Sequence, residues 1–144
     1  MKIVLDSNII FSALISGKEL YIDIVRAHDV YVPDFVLNEL AKYEERLLEK
    51  AKLSPHKFRG FIRMLFEEII VIPKFAVSDD NWRRAYNLCK DVDEKDTPFI
   101  ALSIELKMPL CTNDKRLKER LENKGFVDFI TVEALMKLSE KEVS

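Results

Sequence analysis

The chain has no glutamine and only three glycines, two cysteines and two histidines among its 144 residues, and most of these scarcities close off a chemistry. Neither a GxGxxG nor a GxxxxGK(S/T) stretch occurs, so the backbone cradles of dinucleotide and P-loop nucleotide binding are missing. Cys89 and Cys111 lie in separate segments without CxxC spacing. That pattern excludes a disulfide scaffold or a thiolate zinc centre and fits a reducing compartment. His28 and His56 stand beside charged residues with no second ligand near them; both are expected at the surface, and no Ser-His-Asp arrangement suggests itself. No apolar run approaches the ~18 residues of a membrane span, and no charged-then-apolar leader opens the chain. A cytoplasmic protein without a membrane partner is therefore expected. Long runs of one charge sign are absent too, and the net charge is -2. Bulk positive charge is thus not available for gripping a polyanion, which leaves an acidic site with a local basic rim as the open alternative. The missing glutamine, set against many lysines and glutamates, is a heat-adapted composition.

What is present is an alternation of strand-like and helix-like segments. With 48% hydrophobic and 33% charged residues, the chain supports one sizeable core, and residues 1–144 are expected to form a single domain. Ile3, Val4 and Leu5 lack polar alternation and suit a strand buried on both faces of a parallel sheet. Ile9, Ile10, Ala13 and Leu14 then recur at helical spacing as far as Ser16-Gly17, with Ser7 or Asn8 as N-cap. A second helix presents Leu20, Tyr21, Ile24 and Val25, and a strand follows over 30–33. Asp34 caps a long helix with apolar positions at Val36, Leu37, Leu40 and Leu47. Ser54-Pro55 opens the next helix, whose stripe of Phe58, Phe61, Ile62, Leu65 and Phe66 reads as core packing, with a homodimer surface as the alternative. Further strands are expected over 68–73, 109–112 and 126–131, and helices through Trp82 to Leu88, from Thr97-Pro98, over 115–123 and over 132–138. The alternation predicts a three-layer α/β/α sandwich with a mainly parallel central sheet of about four to five strands.

Two of these strands stop on or beside an aspartate, Asp6 and Asp114, and Asp96 lies just before a helix start. Ligands in open α/β sheets bind at the carboxyl ends of the strands. The three aspartates are therefore expected to meet on one edge, with Glu39 joining from the helix after the second strand and Asp93 within reach from the acidic loop. Carboxylates gathered in a low dielectric repel strongly, and are tolerated when a divalent ion is bound or some are protonated. Oxygen-only ligands suit Mg²⁺ or Mn²⁺ and not Zn²⁺. An ion so held polarises a phosphodiester and lowers the pKa of an attacking water. Each acid also has a plainer role. Asp6, Asp96 and Asp114 could cap helices, although Ser7, Asn8 and Thr97-Pro98 compete for the first two caps and Asn113 for the third. Glu39 could face solvent, and Asp93 with Glu94 could form a solvated loop. Asn8 and Thr112 orient ligands or satisfy turns. An aspartyl-phosphate transferase with Asp6 as nucleophile is a competing chemistry, but Asn8 stands where its second aspartate is needed.

Four segments, Val4-Leu5-Asp6-Ser7-Asn8, the stretch from Val32-Pro33-Asp34 to Glu39-Leu40, the stretch from Asp96-Thr97-Pro98 to Leu102, and Leu110-Cys111-Thr112-Asn113-Asp114, together resemble the motifs of the PIN domain family. The likeness is to the small prokaryotic members found as VapC-type toxins and related ribonucleases. It implies a metal-dependent endoribonuclease in which Asp6, Glu39, Asp96 and Asp114 hold Mg²⁺ or Mn²⁺, directly or through water. Asp93 is a further ligand, and Thr112 is the hydroxyl residue beside the last aspartate. It also implies an RNA substrate, a homodimer and an antitoxin partner. Lys95, Lys115 and Arg116, with Lys42 or Arg46, form the expected RNA-facing rim. The alternatives within the same likeness are an RNA-processing nuclease without an antitoxin and a scaffold that binds RNA or protein without cutting.

Overall fold

The apolar run near the start of the chain becomes the middle of the molecule. The structure, a computed structural model, describes residues 1–143 and the side chains of residues 1–139. In strand β1 (Lys2–Leu5), Ile3 and Val4 have no solvent exposure and Leu5 almost none. Both faces are covered, as the lack of alternation requires. From β1 the chain runs through α1 (Ser7–Ser16) and α2 (Glu19–Ala27) to β2 (Asp29–Pro33), then through α3 (Phe35–Lys50) and α4 (Pro55–Glu68) to β3 (Ile69–Ile72). A 3-10 turn at Lys74–Ala76 leads to α5 (Asp79–Cys89), and a second at Glu94–Asp96 leads to α6 (Thr97–Leu106). The chain closes with β4 (Leu110–Cys111), α7 (Lys115–Asn123), β5 (Phe129–Ile130) and α8 (Val132–Val143).

The five strands form one sheet in the order β3-β2-β1-β4-β5, and every pairing is parallel. The chain winds outward from β1 through β2 and β3, then returns past β1 to add β4 and β5 on the other side. This reversal puts a topological switch point between β1 and β4, where connections leave in opposite directions and open a crevice beyond the strands' carboxyl ends. At that point Leu5 pairs with Cys111, and the Asp6 N–H donates to the Cys111 carbonyl at 3.1 Å. One helical layer has α6 packed on β1 and β2 with α5 against it; in the other, α2 touches α4 and α8, and α1 touches α3 and α4. The expected α/β/α sandwich is the fold of the chain. On α4, Phe58, Phe61 and Leu65 are buried and Ile62 and Phe66 half-buried, so the stripe is core. Each fully buried side chain of this size contributes on the order of 1.5–3 kcal/mol.

Local details depart from expectation where backbone geometry decides. The N-cap of α1 is Asp6 and that of α6 is Asp96, each one residue or more before the expected cap. The strand expected over 126–131 contracts to Phe129–Ile130, because after Gly125, at φ 95°, Phe126 turns back to pack edge-on against Phe129 at 5.2 Å. Helix α8 runs on to Val143, since the stretch beyond 138 has no glycine or proline to stop it. Gly17 ends α1 in the left-handed region at φ 63°, and a Cβ there would meet Leu53 at 2.6 Å, so both conformation and space require glycine. His28 is buried, contrary to the surface expectation, because α8 brings Leu135 and Ser139 over it. His56 is exposed. Among the described residues no helix is long and apolar enough to cross a membrane.

Candidate active site

The site begins at the two strands that flank the switch point. Asp6 is the first residue beyond β1 and is only 1% exposed. It sits at the N-cap of α1 in an extended conformation, yet its side chain makes no capping hydrogen bond. Thr112, the first residue beyond β4, donates its hydroxyl to Asp6 Oδ2 at 2.8 Å and accepts the Asp114 N–H at 3.0 Å. Asp114 caps α7, its Oδ1 accepting the Leu117 N–H at 3.0 Å. The plain role of Asp114 therefore holds, and it holds within reach of the other acids.

The remaining acids come from the flanking connections. Asp96 occupies the N-cap of α6, half-buried and without a capping hydrogen bond. The exposed Asp93 starts the 3-10 turn before it, with Oδ1 accepting the Lys95 N–H at 3.0 Å. Glu39 lies in the second turn of α3, half-buried, and its Oε1 is buried without a hydrogen-bond partner among the described residues.

Electrostatics ties the five together. Burial, followed by repulsion from Asp6, Asp93, Asp114 and Glu39, pushes the Asp96 carboxyl up to about 7. A single residue thus feels all four of the other predicted acids. Asp6 is raised by burial, with a smaller push from Asp114, against the Thr112 hydroxyl and the N–H groups of Asn8 and Ser7. Glu39 is raised by burial and by Asp6 and Asp93, while the Ser7 hydroxyl and Lys95 oppose the rise. Ser7, which the sequence offers as a helix cap within the first motif, stands instead with its hydroxyl toward Glu39. Burial pushes the thiols of Cys89 and Cys111 up to about 12, which keeps both neutral and inert.

Among the described residues no three His, Cys, Asp or Glu side chains stand together as a ready-made metal cage. The residues nonetheless fit a hard dication by chemistry. Every donor is an oxygen, the charge is in surplus, and Glu39 Oε1 is a buried acceptor that none of the described residues satisfies.

Residues 4–124 match the family model described as PIN domain. The chain belongs to the PIN domain family. No curated protein matches it significantly. The PIN match runs from within β1 to the residue after α7 and contains Asp6, Glu39, Asp93, Asp96, Thr112 and Asp114. Beside the acids, the PIN domain carries a groove of about 360 Å³ whose lining includes Asn8, Glu39, Tyr43, Arg46, Asp93 and Lys95. Lys42 lies over the Tyr43 ring at 5.3 Å. Lys115 and Arg116, both exposed, open α7 directly after Asp114.

Proposed function

We propose that this PIN domain is an Mg²⁺- or Mn²⁺-dependent endoribonuclease in which Asp6, Glu39, Asp96 and Asp114 hold the ion, directly or through water, with Asp93 as a further ligand. The observation that carries this reading is the placement of Asp6, Asp96 and Asp114 at the starts of α1, α6 and α7, with the Asp6 carboxylate buried beside the switch point and bonded to Thr112; the raised Asp96 carboxyl supports it. Negative charge accumulated at a switch point is costly to the fold, and a strongly perturbed titration there marks a functional site. When bound, the ion supplies Lewis-acid polarisation of the phosphodiester and an ionised water near neutral pH.

The chain's own residues do the rest. Thr112 fixes Asp6 Oδ2 in one orientation, and the Asp114 N–H fixes Thr112 in turn. The burial of Asp6 keeps bulk water off its carboxylate. Lys95, Arg46 and Lys42 on one side, and Lys115 and Arg116 on the other, offer cations to the phosphates that flank the scissile bond. With a net charge of -2, RNA association depends on this rim and not on the protein's overall field.

The test is cleavage of a mixed-sequence RNA by purified protein with Mn²⁺. Asp6→Asn and Asp96→Asn each abolish cleavage while circular dichroism stays unchanged, because each removes a charged ligand and little packing. Undiminished cleavage by either variant rules the assignment out. The setting we propose is that of a toxin, acting as a homodimer and held inactive by an antitoxin. A small overlapping upstream reading frame encoding a DNA-binding protein is its test; without that neighbour, RNA maturation or decay is the better setting. The lack of a ready-made cage among the described residues favours a second reading, a PIN scaffold that binds RNA without cutting it. Calorimetry finding no Mn²⁺ binding near neutral pH selects that reading.

A further inference from the structure

A second groove, of about 830 Å³, lies between the 3-10 turn after β3 and helix α5. Its lining combines the aromatic rings of Phe75, Trp82 and Tyr86 with the cations of Lys74 and Arg83 and the carboxylate of Asp79. Phe75 is 90% exposed and Tyr86 45%, so the fold gains almost nothing from burying the first and little from the second. Trp82 is held in place: its Nε1 donates to the Lys74 carbonyl at 3.3 Å, and Lys74 Nζ stands over the ring at 5.7 Å. Along α5, Trp82, Arg83, Tyr86 and Asn87 follow one another at helical spacing on the groove side, while Ala85 and Cys89 face the core. Among the described residues Arg83 pairs only with the exposed Asp80, at 3.7 Å, an interaction too weak to hold it from another anion.

The groove lies on the same edge of the sheet as the acids. Its turn follows the carboxyl end of β3, and its far wall includes Thr97, the residue after Asp96. Flat aromatic faces interleaved with cations are what successive unpaired bases and their phosphates require. We propose that this groove is a stacking platform for unpaired bases of single-stranded RNA leading to the acidic site. The inference rests on the ribonuclease reading for what lies at the far end of the strand. Base-paired RNA is excluded, because its bases are stacked on one another and offer no free face.

Trp82 is the single tryptophan of the chain, so its fluorescence reports on the groove directly. The experiment titrates full-length protein in EDTA, where nothing is cleaved, with a roughly 12-nucleotide single-stranded RNA, the matching duplex, and single-stranded DNA of the same sequence. Single-stranded RNA quenches Trp82 and the duplex does not. Phe75→Ala and Tyr86→Ala each weaken RNA binding by about tenfold, the loss of one stacked base. Phe75 is so exposed that its replacement leaves the fold intact. Quenching by single-stranded DNA also supports the platform, since stacking is indifferent to the sugar. Equal quenching by the duplex, or unchanged affinity in both alanine variants, overturns it. The two readings fail separately. Quenching without any Mn²⁺-dependent cleavage removes the nuclease and keeps the platform, whereas cleavage with unchanged affinity in the alanine variants removes the platform alone.

Discussion

The two ends of the sheet bury polar groups in opposite ways. At the amino end, His28 is 5% exposed, and its ring meets the Met1 amine, the Leu135 carbonyl and the Ser139 hydroxyl. Its hydrogen-bonding needs are met within the chain. At the carboxyl end, Asp6 is just as buried, but the acids around it repel one another, and Glu39 Oε1 is buried with no hydrogen-bond partner among the described residues. Burial alone therefore does not mark a functional site. A buried polar set that the chain itself satisfies is architecture, and one that it leaves in surplus is poised for something from outside.

The largest expected effect separates the two ends outright. Asp96→Asn lowers RNA cleavage by at least about 100-fold, yet raises the melting temperature of the metal-free protein, because it removes a charge that its neighbours disfavour. Thr112→Val comes next. It deletes the hydroxyl that orients Asp6, and cleavage falls by roughly 10- to 100-fold, the usual cost of losing such a support. Steady-state cleavage assays on folded protein check both.

His28→Leu sharpens the comparison from the other side. It removes the ring that bonds the Leu135 carbonyl and the Ser139 hydroxyl, which keep their own 2.9 Å hydrogen bond, and destabilises the chain by about 1 kcal/mol in urea unfolding. Cleavage per folded molecule is unchanged, because the substitution lies at the opposite end of the strands. A loss of cleavage with intact folding would mean that the two ends of the sheet are coupled.

The same Asp96 charge also gives the stability a slope with pH. The folded-state pKa of Asp96 is raised from 3.8 to about 7, so its neutral form favours the native state. That stabilisation is complete below about pH 3.8 and is lost progressively as pH rises through about 7. The melting temperature of metal-free protein thus falls over this window by an Asp96-dependent increment, which Mn²⁺ restores above it. In Asp96→Asn the increment is missing. Thermal melts across pH, with and without Mn²⁺, read the difference.

Much of this was legible in the residues, for reasons that particular segments make plain. The unbroken Ile3-Val4-Leu5 run demanded a strand covered on both faces, and Ser54-Pro55 announced α4, where Ser54 accepts the Lys57 N–H. Helix caps were less legible, since Asp6 against Ser7 and Asp96 against Thr97 turns on where the backbone enters the helical region, which side-chain type alone does not fix. The burial of His28 depends on Leu135, 107 residues away, beyond the reach of any local pattern. Strands β4 and β5 have two residues each, too few for periodicity to bound them. On α5, the fold buries Ala85 and exposes its neighbour Tyr86, a difference that residue type does not signal.

Calorimetric titration of Mn²⁺ into the metal-free protein at neutral pH, repeated in two buffers of different ionisation enthalpy, bears most directly on the claim that these acids together await a dication. Saturable binding is expected, with release of the proton that Asp96, at about 7, partly retains, and both the binding and the proton release are lost in Asp96→Asn. No binding, or binding indistinguishable among the wild type, Asp6→Asn and Asp96→Asn, would contradict it.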